Sequence, residues 1–153
     1  MINFIKRFLF IKKNKLHEVF KILDRNKPIF DVGAHNGDKS IKLIGYFSRI
    51  ILVEPQPNCI AILKKKFSKC KNVTIIEAGL NFKEEILDLK INSSNPLIST
   101  FSDHWGDGRF KDSKWDKSLK IKTITLDQLI NDHGHISRDG LDYQLAASML
   151  YEF

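Results

Sequence analysis

Cysteine is scarce in this chain, and long apolar runs are missing. Two cysteines in 153 residues exclude a small secreted scaffold held by disulfides. No apolar run approaches the roughly 20 residues of a membrane-spanning helix. Near the N-terminus the uninterrupted apolar stretch covers only residues 8–11. That is short of the roughly 7–15 residues of a secretory signal, and no small-residue cleavage site follows. Internal repeats and low-complexity linkers are missing too. Beyond the first 27 residues there is no basic patch interleaved with aromatics, of the kind that stacks single-stranded nucleic acid. What is present, 42% hydrophobic and 10% aromatic residues, is enough to exclude a mainly disordered chain. The length suits one domain, expected in a reducing compartment, the cytoplasm.

The formal charge of +7 is unevenly placed. Residues 1–27 hold eight basic and two acidic side chains, a net of +6; the remainder holds 17 basic and 16 acidic groups. The body is therefore nearly neutral. In the basic segment Ile5, Phe8, Leu9, Leu16, Val19, Phe20 and Leu23 recur at helical spacing, which predicts an amphipathic helix. It reads either as a membrane-surface or nucleic-acid arm or as a covering helix with solvated lysines. The covering helix is the reading adopted, since charge on an amphipathic helix is ordinarily its wet face.

After Pro28 short apolar runs alternate with helical patterns. Ile29-Phe30-Asp31-Val32 reads as a buried strand ending at Gly33, and residues 38–47 as a helix with Ile41, Leu43, Ile44 and Phe47 inward. Ile50-Ile51-Leu52-Val53 is a second strand, stopped by Glu54-Pro55. A second helix opens at Pro57-Asn58, with Ile60, Leu63 and Phe67 on one face, and Val73-Thr74-Ile75-Ile76 forms a third strand. Strands apolar throughout and separated by helices predict a parallel sheet covered on both faces, half of a doubly wound fold. Further on, Leu87, Leu89 and Ile91 alternate with polar residues as in a half-exposed strand. Residues 92–118 are loop-like, and Ile121, Ile124 and Leu126 suggest a strand running into Asp127-Gln128-Leu129-Ile130.

The chemistry is concentrated at Asp31-Val32-Gly33-Ala34-His35-Asn36-Gly37, a strand-to-helix junction. Gly33 permits a tight turn, and with Gly37 leaves room for a ligand near the backbone. The free N–H groups of a following helix would favour a carboxylate or phosphate. Glu54 stands at the end of the second strand, 23 residues after Asp31, where an acid can accept hydrogen bonds from two ribose hydroxyls. The dinucleotide fingerprint G-x-G-x-x-G lacks its middle glycine here, because His35 occupies that place. This disfavours an NAD-dependent oxidoreductase. An acid two positions ahead of the first glycine points instead to S-adenosylmethionine, whose ammonium and carboxylate need mixed polar partners.

These residues, with Val53-Glu54-Pro55-Gln56-Pro57, Val73 to Leu80 and Thr123 to Ile130 in the same order, resemble the FkbM family of S-adenosylmethionine-dependent methyltransferases. The resemblance covers residues 28–130. It implies a Rossmann-like class I methyltransferase fold (α/β, a doubly wound and mostly parallel sheet) acting on a hydroxyl oxygen of a sugar or secondary metabolite. S-adenosyl-L-methionine would be the cofactor and a small molecule or glycan the acceptor, with no nucleic acid partner and no metal. Carried over position by position, Asp31, Gly33, Ala34, His35, Asn36 and Gly37 would surround the methionine and ribose end. Glu54 would hold the ribose hydroxyls, Pro55 and Gln56 would flank the adenosine, and Ala78 would neighbour the adenine.

The family's next element, a buried strand of the type lysine-x-aspartate-x-glutamate-glycine, has no counterpart in residues 131–153. That tail shows no run suited to a central parallel strand. The chain therefore reads as a truncated or frameshifted methyltransferase domain: a basic segment 1–27, a domain part 28–130 and a divergent tail. Such a sheet would expose apolar edges. The acids expected near the acceptor fall in the missing strand, so no catalytic residue is named. The alternative is a non-catalytic remnant or binding module that keeps the Rossmann half. His133-x-His135 lacks the further ligands of a metal site and reads as polar tail. Cys59 and Cys70 read as small apolar or surface residues. The segment from Asp103 to Asp107 lies in the long loop, where an acceptor site can be built.

Overall fold

In a computed structural model of the chain, residues 23–104, 110–137, 140–142 and 144–147 are described. The expected N-terminal amphipathic helix falls almost wholly outside them.

The first two predicted strands form where the apolar runs place them: β1 (Ile29–Val32) and β2 (Ile50–Val53). They are followed by α1 (Pro57–Lys66) and β3 (Val73–Ile76). Pro57 suits the first turn of α1, where its missing N–H costs nothing. Next come β4 (Gly79–Leu80), β5 (Ile86–Ile91), β6 (Lys117–Ile124) and α2 (Leu126–His133). Three short strands complete the series: β7 (His135–Ser137), β8 (Gly140–Asp142) and β9 (Gln144–Ala147).

The principal sheet has the order β3-β2-β1-β9, and all three pairings are parallel. This is the Rossmann-like order 3-2-1-4, with β9 in the fourth place. Alternate side chains of β1 and β2 serve opposite faces, as the pleat requires. Ile29, Ile50 and Leu52 pack with Leu43, Phe47 and with Leu63 and Phe67 at the end of α1. Phe30, Ile51 and Val53 pack with Leu129 of α2. The sheet is thus covered on both faces. β5 and β6 pair antiparallel, and the end of β6 runs parallel to β4, so β5 is the half-exposed strand that the alternation predicts.

Three expectations are corrected. Residues 38–47 do not form an α-helix: a 3-10 turn, Ser40–Leu43, is flanked by other turns. Leu43 and Phe47 do turn inward, whereas Ile41 is 48% exposed. Ser40 Oγ donates to Asp31 Oδ2 at 2.6 Å, a tertiary bond within this segment, and local propensity is a weak prior that tertiary context overrides. β3 is only partly buried along its length, because it flanks β2 at one side of the described sheet. The third correction concerns residues 131–153, which do supply a parallel strand, with Gln144 to Ala147 in register against Ile29 to Val32. Gln-Leu-Ala-Ala has no β-branched residue and no apolar run to mark it. The open hydrogen-bonding side of β1 orders it instead, and strand preference depends on such context.

Candidate functional site

β1 ends in a loop whose backbone is unusual. Gly33 (φ 73°), His35 (φ 50°) and Gly37 (φ 72°) all take left-handed conformations within five residues. The Gly33 and Ala34 N–H groups both donate to the Val53 carbonyl, at 2.9 and 3.2 Å, and Gly37 N–H closes a turn onto Ala34 O at 2.8 Å. A side chain in that region is disfavoured, so the conformation of His35 must be imposed by its neighbours. One neighbour is evident: His35 N–H donates to Glu54 Oε2 at 2.8 Å.

Glu54 follows β2 directly, and its own N–H donates to Ile76 O at 3.0 Å. Its other carboxylate oxygen, Oε1, accepts from Gln56 N–H at 3.0 Å. The residue is 2% exposed. Burial pushes its carboxyl up from the ordinary value near 4.5, the Gln56 and His35 amides work against that shift, and the Asp31 charge adds to it. The Gln56 side chain also bonds the carboxylate and favours its charged form.

The loop and Glu54 open onto a cleft of about 530 Å³, and Pro55, Gln56, Ala78 and Leu80 continue its wall. It lies at the carboxyl ends of β1 and β2, where open parallel sheets bind ligands. The facing wall is residues 96–102, part of the segment expected to be loop. This wall is well fastened. Lys90 and Thr100 exchange backbone hydrogen bonds at 2.9 and 3.0 Å, Trp115 Nε1 donates to Ile98 O at 3.2 Å, and Lys90 pairs with Asp103. Gln56 spans the two walls, its Nε2 donating to Pro96 O at 3.3 Å. Among the lining residues, Phe101 lies so close to Gly79 that a Cβ there would stand 2.5 Å from the ring. Only glycine leaves that space.

Compared with protein-family models and with curated protein sequences, the chain matches none. Among solved structures it is similar to the methyltransferase FkbM of Methylobacillus flagellatus KT, at 16% identity and TM-score 0.44, over 72% of this chain and 25% of that one. It is also similar to an rRNA methylase from Streptococcus thermophilus (19% identity, TM-score 0.39, 45% of this chain and 42% of that one). A third is a Streptococcus mutans protein solved in complex with SAH (21% identity, TM-score 0.39, 46% and 43%). The chain spans about a quarter of the first and about two fifths of the other two.

Eight of the ten sequence-predicted positions line the cleft: Gly33, Ala34, His35, Asn36, Glu54, Pro55, Gln56 and Ala78. Two do not. Asp31, expected at the methionine end, is 2% exposed within β1 and accepts the Ser40 hydroxyl behind the loop. Gly37, expected to leave room for ligand, faces the core instead: a Cβ there would stand 2.6 Å from the Phe67 ring and 2.8 Å from Leu63. The expected anion site at a helix start is also corrected, since only a 3-10 turn follows the loop.

Sequence reasoning missed the 96–102 wall, whose Ser and Thr residues look like any loop, and it missed Lys66. From the end of α1 the Lys66 ammonium donates to the Asn36 carbonyl and to Asp38 Oδ1. Nothing in Lys64-Lys65-Lys66 distinguishes the third lysine except its register on the helix. Cys59 fits the apolar reading: it is buried, and that burial pushes its thiol up to about 11, with the Glu54 charge adding to the effect. Cys70 packs partly buried against the core. Among the described residues no three His, Cys, Asp or Glu side chains gather as metal ligands. Likewise, no helix there is long and apolar enough to cross a membrane. Asp103 is held below the usual carboxylate range by the Lys90 hydrogen bond, and residues 105–109 lie outside the described residues.

Proposed function

We propose that this chain carries the cofactor-binding part of an S-adenosyl-L-methionine-dependent methyltransferase of FkbM type. Its acceptor is a hydroxyl oxygen of a small molecule or glycan, such as a sugar or secondary metabolite, and its setting the cytoplasm. The observation that supports this most is Glu54, a buried carboxylate at the end of β2. It is held by two backbone amides, one of them from the left-handed loop 33–36, and lines the cleft beside that loop.

The donor set suits this cofactor. Glu54 offers two acceptor oxygens for the ribose, and Pro55, Ala78 and Leu97 offer apolar surface for the adenine. The Gly33–Asn36 backbone and the His35 and Asn36 side chains offer mixed polar partners for the methionine end. A pyrophosphate is less well served, because the loop leads into a four-residue 3-10 turn rather than a helix. When bound, the cofactor supplies a methyl group on a positively charged sulfur. The chain's own contribution is to bind and orient it, and alignment provides much of the acceleration in such a transfer.

Calorimetric titration of the chain with S-adenosylhomocysteine and, separately, with NAD tests the reading. It predicts heat of binding with the first and none with the second. Binding of NAD alone would make the site a dinucleotide site, and binding of neither would support a non-catalytic remnant.

A further inference from the structure

The loop after β1 holds a strained conformation, and what imposes it is only half explained by the sheet. On the sheet side, Gly33 and Ala34 are tied to Val53 O, and His35 N–H to Glu54. Strain of the His35 kind persists where the surroundings over-determine it. The second restraint comes from outside the sheet. Lys66 closes α1, its side chain is three-quarters shielded from solvent, and its ammonium reaches back to both Asn36 O and Asp38 Oδ1, the latter at 2.6 Å. An ammonium has three donors, and charge-assisted bonds of this kind are stronger than neutral ones. Asp38 responds as a true partner would: the Lys66 hydrogen bond holds its carboxyl below the ordinary value.

The Asn36 carbonyl shares its peptide unit with the Gly37 N–H, which donates to Ala34 O at 2.8 Å. Ala34 O in turn shares its peptide unit with the His35 N–H that holds Glu54, so a clamp on the Asn36 carbonyl reaches that N–H through the turn bond. We propose that Lys66 is a positioning residue for the cofactor cleft: by clamping Asn36 and Asp38 it holds the His35 amide on Glu54 and so sets the carboxylate's place in the cleft. The consequence for ligand binding rests on the reading of Glu54 as the ribose acceptor. Lys64 and Lys65, one turn of the same run, make no such contact; Lys64 pairs with Glu77 on the surface.

The test uses the full chain with Lys66→Met, which keeps the aliphatic stem, and Lys66→Arg, which keeps the charge. In the free protein, amide exchange across residues 33–38 is expected to quicken about tenfold or more in Lys66→Met and to stay near wild type in Lys66→Arg, with β2 and α1 unchanged. The dissociation constant for S-adenosylhomocysteine is expected to rise about tenfold in Lys66→Met and to recover in Lys66→Arg to within about threefold of wild type. Unaltered loop exchange in Lys66→Met would overturn the clamp, as would a uniform quickening through β2 and α1. A loosened loop with undiminished affinity would overturn the positioning role. A loosened loop in a protein whose wild type binds no S-adenosylhomocysteine would leave the clamp standing and remove the adenosine reading instead.

Discussion

Gly33 and Gly37 look interchangeable in the sequence, yet they do different things. Both are left-handed, but Gly33 lines the cleft while Gly37 meets the side chains of Leu63 and Phe67. The spacing of the two glycines was legible; the face each one presents was not, because that depends on where α1 packs. Gly37→Ala should therefore act on stability, through both the backbone strain and the overpacking. A loss of about 2 kcal/mol or more is expected in chemical denaturation. Asp31 teaches the same lesson: its place two residues ahead of the glycine was read correctly, but strand alternation sends it behind the loop onto Ser40.

Glu54 was legible in position and type, and the structure adds its protonation behaviour. Since burial raises its carboxyl above 4.5, it becomes protonated at a higher pH than an exposed glutamate. Protonation removes an acceptor. The affinity for S-adenosylhomocysteine should thus fall as the pH is lowered through that raised value, while Glu54→Gln should bind with no such dependence. Calorimetry at a series of pH values checks both. The same shift bears on folding: between 4.5 and the raised value the folded chain takes up the proton more readily than the unfolded one, so this group's contribution to stability declines as pH rises through that window.

At the scale of elements, continuous apolar runs identified β1 and β2 and the 3.6-residue pattern identified α1, since burial dictates those patterns directly. Elements that depend on tertiary surroundings escaped. The 3-10 turn at Ser40–Leu43 is accompanied by the bond from Ser40 to Asp31, and β9 pairs along the open side of β1. Leu126, read as the end of a strand running into Asp127 to Ile130, instead opens the helix α2, and a cap marks the change. Thr125 Oγ1 accepts from Gln128 N–H at 3.1 Å. Thr125→Ala should cost about 1 kcal/mol of stability, measured by denaturant unfolding. Because Leu129 of that helix is buried against Phe30 and Ile51, loss of the cap should also loosen the sheet face it covers. A substitution that left stability unchanged would show that packing alone holds α2.

At the scale of the whole molecule, charge and ligand site are set apart in the sequence. The excess positive charge lies in residues 1–27, most of which are outside the described residues, and the cleft is lined by a buried acid, Glu54. The fourth strand of the sheet comes from the part of the chain that looked least like a strand, so the motif order alone understated how much of the Rossmann-like half is assembled. The cleft joins two regions of distinct origin. One is the β1–β2 junction, where the sequence announces itself; the other is the 96–102 wall, fastened by Lys90, Trp115 and Gln56. Sequence pattern locates the first because glycine and acid at fixed spacing are rare together. It is blind to the second because its contacts are long-range and its residues ordinary.

The central claim is that this cleft binds an adenosine-bearing cofactor through Glu54. The most direct measurement is the dissociation constant for S-adenosylhomocysteine of the wild-type chain and of Glu54→Ala at neutral pH, with folding of both checked by circular dichroism. Losing the hydrogen bonds of a charged acceptor predicts a weakening of about tenfold to a hundredfold, roughly 1.5–3 kcal/mol. Equal affinity in the two folded proteins would contradict the account.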